Sequence, residues 1–262
     1  MSYAGPLDFL PLPLLFLGTV LLVLLSIESG FRLGRRRARM RQPEKDTAVG
    51  AMVGASLGLL AFLLAFTFSF AAGRFETRRH ALLHEVNAIG TTLLRTGALP
   101  EPHRGELREL LREYVEVRLE AVRTGELEPA IRRSKEIHGA LFAHATALGL
   151  QDPHSIVVGL FTQSLNELID LHTVRITEGL LVRIPAVIWI VLYAITVLSM
   201  LEMGYQSGLA GQRRPLSIPA LALAFASVML LIADLDRPQQ GLIRVSQQGL
   251  EELRAAMGDP SR

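Results

Sequence analysis

Long apolar runs alternate with charged stretches along this chain, and the alternation predicts membrane-spanning helices around a soluble helical region. The longest run without a charged side chain covers residues 48–73. As a helix it would be ~39 Å long, which exceeds the ~30 Å hydrocarbon core of a bilayer. No helix-breaking residue follows it before the turn at residues 97–102. We therefore expect one helix from about residue 47 to residue 96.

Three further apolar runs are long enough to span a bilayer, at residues 9–26, 184–203 and 216–233. The segment between spans two and three has helical periodicity and lacks the alternation that is typical of strands. Helices are expected there at 106–123, 129–148 and 155–182. The predicted organisation is 1–73 for spans one and two with a basic connecting loop, 74–183 for a soluble helical domain, 184–238 for spans three and four, and 239–262 for a C-terminal tail with a loop or short strand at 242–245 and a helix at 250–257.

Three glycines open span two at every fourth position, Gly50, Gly54 and Gly58. Residues four apart lie on the same side of a helix. In lipid, where apolar side chains gain little by leaving the acyl chains, small residues at this spacing let helix backbones approach closely. The three positions therefore predict a helix-packing seam.

A second set of residues with the same spacing follows, Phe62, Phe66 and Phe70. If copies of span two surround a common axis, these side chains would form stacked rings and an apolar neck. Such a constriction gates ions by dewetting. The alternative is that the three rings face lipid or pack within the chain, since aromatic residues are common in spanning helices.

Polar residues on the same helix are candidates for the lining of that pathway, because hydroxyl and amide groups can replace water around an ion. They are Thr67, Asn87, Thr91 and Thr92. The alternative is a buried hydrogen-bond network between helices or subunits, which would also include Glu85 and Arg95, since buried polar groups need partners.

Three charged residues end span four, Asp234, Asp236 and Arg237. Ionisable groups at a membrane boundary usually pair or extend toward water. We predict structural ion pairs here, with Arg213 and Arg214 as further possible partners, in preference to a ligand site.

The loop after span one is densely basic. Anionic lipid headgroups would add ~1 kcal/mol per charge near the surface, at Arg35, Arg36, Arg37, Arg39 and Arg41. The alternative is that these residues only fix the topology. The positive-inside rule puts this loop in the cytoplasm, and the N-terminus and the soluble domain outside.

Composition excludes several functions. The net charge is only +2, which gives no reason to expect a nucleic-acid partner. The chain has no cysteine, and therefore no disulfide and no thiolate metal site. His80 and His84 are four residues apart, but their order with Glu85 is not that of a zinc protease, and we predict no metal and no cofactor. We find no paired nucleophile and base and no phosphate-binding glycine loop, so we do not expect an enzyme.

Several segments resemble a bacterial family of membrane proteins called bestrophin-like. They are the run Gly50-x3-Gly54-x3-Gly58-Leu-Leu-Ala-Phe, the segments Arg74-Phe-Glu and Glu85-Val-Asn-Ala-Ile-Gly, and the closing Asp234-Leu-Asp-Arg-Pro-x-x-Gly-Leu-Ile. True bestrophins, to which this family is remotely similar, are pentameric anion channels with four spans per subunit. In them span two lines the pore and three apolar residues four apart form a neck, which is the spacing of Phe62, Phe66 and Phe70.

The sequence departs from true bestrophins in two respects. Bestrophins bind calcium with a long acidic run after span four, where this chain has only Asp234 and Asp236, too few oxygens for that ion. Bestrophins also keep both termini in the cytoplasm, which is opposite to the orientation that the charges of this chain favour.

We therefore predict an all-α, four-span membrane protein of the bacterial inner membrane that forms a bestrophin-like homo-oligomer, a pentamer by analogy. The predicted function is a passive ion channel, anion-conducting by analogy. The alternative is a non-conducting scaffold or sensor whose helical domain binds a partner. A transporter is ranked third, because many transporters are built from inverted repeats and this chain has none.

Overall fold

The computed structural model describes residues 5–40, 46–211, 216–238 and 241–258, and within these ranges all regular structure is helical. The helices are α1 (Leu12–Arg39), α2 (Asp46–Thr96), α3 (His103–Thr124), α4 (Leu127–Gln151), α5 (Ile156–Ile176), a π-helical turn (Thr177–Leu181), α6 (Ala186–Leu209), α7 (Ser217–Asp236) and α8 (Gln248–Met257).

Local sequence explains several helix ends. α1 begins after Pro11 with a second proline in its first turn, where the missing N–H is no loss. α3 ends at Gly125, whose φ of 80° is in the left-handed region that glycine adopts without strain. α5 begins at Ser155, whose Oγ accepts a hydrogen bond from the Val158 N–H at 3.4 Å.

Two predicted boundaries are corrected. The basic segment after span one is not a loop up to Met40, because α1 continues to Arg39. Arginine is a good helix former, and cations in the last turn complement the helix dipole. The helix expected at 155–182 changes to a π-helical turn after Ile176. Residues 241–247 contain neither helix nor strand, so of the two alternatives predicted for 242–245 the structure has the loop.

The chain divides into two compact units. Unit 1 contains Met1–Phe75 and Arg183–Ile243, and unit 2 contains Glu76–Val182 and Arg244–Arg262. The C-terminal helix α8 therefore belongs with the soluble helices. Four helical stretches in the described residues are long and apolar enough to cross a membrane: α1, α2, the stretch that ends with α6, and α7.

Each unit has its own hydrophobic core. In unit 1 the buried side chains come from α1, α2, α6 and α7, and include Val23, Leu60, Trp189, Met200 and Met229. In unit 2 they come from α2, α3, α4, α5 and α8, and include Ile89, Leu111, Leu141, Phe161 and Leu250.

Four glycines let α1 and α6 pack backbone against backbone. A Cβ at Gly30 would lie 2.0 Å from the carbonyl oxygen of Leu201, and one at Gly34 would lie 2.1 Å from that of Tyr205. On α6, a Cβ at Gly204 would lie 2.1 Å from the carbonyl oxygen of Ile27, and one at Gly208 would lie 2.3 Å from that of Phe31. We call these four residues the α1–α6 glycine contact. Any side chain at these positions would displace the backbone of the opposite helix.

Candidate functional site

The predicted neck residues lie on the exposed face of α2 within unit 1. Phe62 and Phe66 are 65% and 66% exposed, and Phe70 is 39% exposed. The opposite face of the same helix is buried in unit 1, with Leu60, Leu64, Thr67 and Ala71 among its residues. The single chain thus leaves these three phenylalanines, spaced four residues apart, partly or largely exposed, and Phe68 between them is 38% exposed.

Small residues lie beside these rings. Ala61, Ala65 and Ser69 are exposed next to the phenylalanines, and Gly54 and Gly58 are exposed one and two turns earlier. A helix face with small residues between large ones suits packing against another helix.

The exposed face of α1 has a different composition. It presents bulky leucines, between 56% and 60% exposed, at Leu14, Leu17, Leu21 and Leu25. A surface rich in leucine, with Gly18 exposed among these side chains, suits acyl chains. The two exposed faces therefore suit different neighbours.

A cation lies at the polar end of the phenylalanine series. The Arg74 guanidinium carbon lies 4.3 Å from the centre of the Phe70 ring, within the range of a cation–π contact. This contact fixes a positive charge next to the last ring of the series.

The predicted helix-packing seam is open for most of its length. A Cβ at Gly54 or Gly58 would meet nothing within 4 Å in the described part of the chain. At Gly50 it would come within 2.8 Å of the Gln206 amide nitrogen, which belongs to a flexible side chain. The seam thus remains available to a partner outside this chain.

Two of the four predicted lining residues are buried in the single chain. The hydroxyls of Thr67 and Thr92 donate to the carbonyl oxygens of Leu63 and Ala88 at 2.7 and 2.8 Å. This burial disfavours a pore-lining position for both threonines, and their role stays a prediction. Asn87 and Thr91 are exposed and stay candidates.

Unit 2 contains a buried polar network around Glu85. This carboxylate is fully buried and accepts a hydrogen bond from the Tyr114 hydroxyl at 2.5 Å. Arg175 pairs with its other oxygen, and Arg118 lies 3.5 Å from the first. The two arginines keep a buried carboxylate compatible with its charged form. Glu85 therefore links α2 to α3 and α5 inside the unit.

Two histidines extend this network. His172 Nδ1 lies 2.9 Å from the Tyr114 hydroxyl, and the His138 ring centre lies 4.8 Å from that of His172 in an edge-on arrangement. Burial and then the charge of Glu85 raise the pKa of Tyr114 well above its usual value. Burial, together with the His172 imidazole, lowers the pKa of His138 to about 4. Both groups are neutral at pH 7.

The charged residues at the end of span four contact other parts of unit 1. Asp234 accepts hydrogen bonds from the backbone N–H groups of Leu242 and Ile243 at 2.8 and 2.9 Å, so it orders the chain after the helix. Asp236 accepts from the Ile184 N–H at 3.0 Å. The Asp234 carboxylate also requires a glycine at Gly241, where a Cβ would lie 2.1 Å from Oδ1.

Two arginines complete this cluster through Asp8. Arg183 pairs with Asp8 and donates to the Asp236 carbonyl oxygen. Arg237 lies 3.6 Å from Asp8 and donates to the Leu7 carbonyl oxygen at 2.8 Å. These contacts join the N-terminal segment to the start of α6 and the end of α7. Asp8 and Arg183 were not predicted as partners, because both are far from the end of span four in sequence.

Comparison with known proteins agrees with this layout. The profile of the Bestrophin-like domain matches residues 20–250. The chain belongs to the Bestrophin-like family. A search of curated proteins gave no match.

Solved structures share the fold of this bestrophin-like protein. A crystal structure of a bacterial bestrophin homologue from Klebsiella pneumoniae superposes with a TM-score of 0.66 at 15% identity, over 92% of this chain and 95% of that chain. A single-residue variant of the same homologue gives 0.63 at 14% identity, over 93% and 99%. The predicted resemblance and all-α, four-span fold are confirmed, and the bestrophin-like chain is an integral membrane protein.

The basic residues of the bestrophin-like chain lie on the last turns of α1, beyond the end predicted for span one. Arg35, Arg36 and Arg39 line a shallow depression of about 320 Å³ at the end of α1. Arg41 lies outside the described residues. Contact of this surface with anionic lipid stays a prediction, as does the membrane orientation.

Proposed function

We propose that this protein is a homo-oligomeric ion channel, a pentamer by analogy with bestrophins, in which the exposed face of α2 lines a central pathway. Phe62, Phe66 and Phe70 would form the neck and act as a hydrophobic gate. The observation that supports this most directly is the exposure of these three rings beside small residues, on a helix that buries Leu60, Leu64 and Ala71 on its other side.

Helix packing in lipid supports an axial position for this face. Exposed glycines, alanines and a serine beside the rings would let identical helices approach, while the rings themselves would meet at the centre. The leucine face of α1 would then contact lipid. Beyond the neck, Asn87 and Thr91 are the exposed polar groups that would contact a partly dehydrated ion.

Anion conduction is supported by the position of Arg74. Its guanidinium group stacks on Phe70, so each copy would contribute one positive charge at the end of the neck. A ring of such charges favours anions over cations in a pore.

Planar-bilayer recording of the purified full-length protein tests this function. The triple variant Phe62→Ala, Phe66→Ala, Phe70→Ala should conduct at least ~10-fold more often or more strongly than the wild type, because removing the rings lets water fill the neck. The reversal potential in a salt gradient should show anion preference in the wild type.

The leucine face of α1 provides a matched control. The triple variant Leu17→Ala, Leu21→Ala, Leu25→Ala removes a similar apolar volume from an equally exposed membrane helix, and it should conduct as the wild type does. Silence in all three proteins would contradict the channel and favour a scaffold whose soluble domain binds a partner. An equal increase in both variants would contradict the neck.

A further inference from the structure

Two histidines and a glutamate converge at one place in unit 2, between α3 and α4. The Nδ1 atoms of His103 and His144 are 3.0 Å apart, and His144 Nδ1 lies 3.5 Å from Glu106 Oε2. All three atoms lie within 4.8 Å of one another. His103 and Glu106 are one turn apart on α3, and His144 comes from α4.

We propose that His103, Glu106 and His144 form a binding site for a zinc-class transition-metal ion. In a tetrahedral zinc site with ligand bonds of 2.0–2.1 Å, neighbouring ligand atoms are about 3.3 Å apart. The two shorter separations here, 3.0 and 3.5 Å, lie on either side of that value. The His103–Glu106 separation lies within 4.8 Å, so the exposed Glu106 side chain would turn toward the two histidines when an ion binds.

The chemistry of the three atoms also favours a cation. At 3.0 Å one Nδ1 can donate its proton to the other, and a metal ion would replace that proton and accept a lone pair from both nitrogens and from the carboxylate. Two imidazoles and one carboxylate are a ligand set that zinc accepts, whereas calcium and magnesium prefer oxygen ligands throughout.

The surroundings allow an ion to enter. An open cleft of about 780 Å³, whose lining includes Glu106, Ala140 and His144, adjoins the site. Solvent in it could supply the fourth ligand. Arg104 is the basic residue closest in sequence to His103. Its Nε donates to the Leu99 carbonyl oxygen at 3.0 Å and not to the three proposed ligand atoms.

Such a site would clamp the start of α3 to α4. Because the metal would bind the folded protein and not the unfolded chain, its binding would raise the unfolding temperature of the protein. The inference does not depend on the proposed channel function, since it concerns only the soluble helices.

Cobalt spectroscopy tests the site. We expect the full-length, chelator-treated protein in detergent to bind one Co²⁺ per chain with visible absorption bands, and Zn²⁺ to abolish those bands. His144→Ala should weaken Co²⁺ binding at least ~10-fold, since even changes outside the ligand shell cost about that much. If His144→Ala does not fold, Glu106→Gln tests the site instead. It keeps the size of a half-exposed side chain and removes the carboxylate charge, so Co²⁺ binding should weaken.

Histidines elsewhere in the chain provide the controls. His154→Ala at an exposed turn, and the pair His80→Ala, His84→Ala on α2, should keep the wild-type affinity. Zn²⁺ should raise the unfolding temperature of these controls and of the wild type, but not that of His144→Ala. Absence of cobalt bands in the wild type, or their loss in the His80 and His84 variant with retention in His144→Ala, would overturn the proposal.

Discussion

Two sets of glycines with the same spacing have opposite environments in this protein. In the α1–α6 glycine contact, Gly30 and Gly204 lie against the backbone of the opposite helix, and a Cβ at either would come within about 2 Å of a carbonyl oxygen. In the helix-packing seam, a Cβ at Gly54 or Gly58 would have no atom of the described residues within 4 Å. The first set is used inside the chain, and the second is left open.

The comparison shows what glycine spacing can and cannot predict. A glycine at every fourth position indicates that some backbone approaches closely, but both sets have this spacing in sequence. Only the three-dimensional packing distinguishes a contact within the chain from a surface that remains for another molecule. The same distinction separates the buried Glu85 network from the exposed Asn87 and Thr91.

The largest effect is expected at the α1–α6 glycine contact. Gly30→Val would push its side chain into the backbone at Leu201, where no flexible side chain can move aside. The cost should exceed about 3 kcal/mol, and little folded protein should be recovered. Gly18→Val on the same helix is the matched control, since a Cβ there meets nothing within 4 Å. Equal yield and equal thermal stability of the two variants would contradict the close contact.

The second effect concerns the buried network of unit 2, and it is measured as the dependence of the free energy of unfolding on pH. The folded state lowers the pKa of His138 from 6.5 to about 4, so between these values the unfolded chain binds the additional proton. The contribution of His138 to the free energy of unfolding should therefore be fully present above pH 6.5. It should fall by up to about 3 kcal/mol as the pH drops toward 4.

A difference measurement isolates this contribution. The imidazole of His138 faces Tyr114, His172 and the Glu85–Arg118 pair, and these groups are present in both proteins being compared. His138→Phe should remove the pH-dependent part that belongs to His138, so the stability difference between wild type and variant should change between pH 6.5 and 4. His154→Phe at an exposed turn should give a flat difference. A flat difference for His138→Phe as well would show that His138 can be protonated in the folded protein.

Much of the fold was predictable, because apolar run length and helical periodicity are local in sequence. The four spans follow from uncharged segments that match the bilayer thickness, and the helices of unit 2 follow from repeating leucines such as Leu107 and Leu111. The extension of α1 to Arg39 was missed because a cluster of like charges was taken for a loop, although arginine has good helix propensity.

The candidate site was only partly predictable, because side-chain direction and long-range partners are not local. The exposure of Phe62 and Phe66 fits both the predicted neck and the lipid-facing alternative, and the spacing of Thr67 and Thr92 did not reveal that both are buried. The partner of Arg183 is Asp8, at the other end of unit 1 in sequence. The pairing of His103 with His144 likewise depends on how α3 packs against α4.

The smallest effect on the chain itself is expected at the open seam, and it tests what that seam is for. Gly58→Val places a side chain in empty space, so each subunit should fold with near wild-type thermal stability. If copies of α2 pack through this seam, the added methyl groups separate the helices, at a cost of about 1–3 kcal/mol per contact. Native mass spectrometry in detergent should then show dissociation at a protein concentration at least ~10-fold higher than for the wild type.

Gly18→Val serves again as the control, because it adds the same side chain to the exposed leucine face of α1. An unchanged oligomer in Gly58→Val would mean that the seam faces lipid, and α2 would then have no close neighbour on that side.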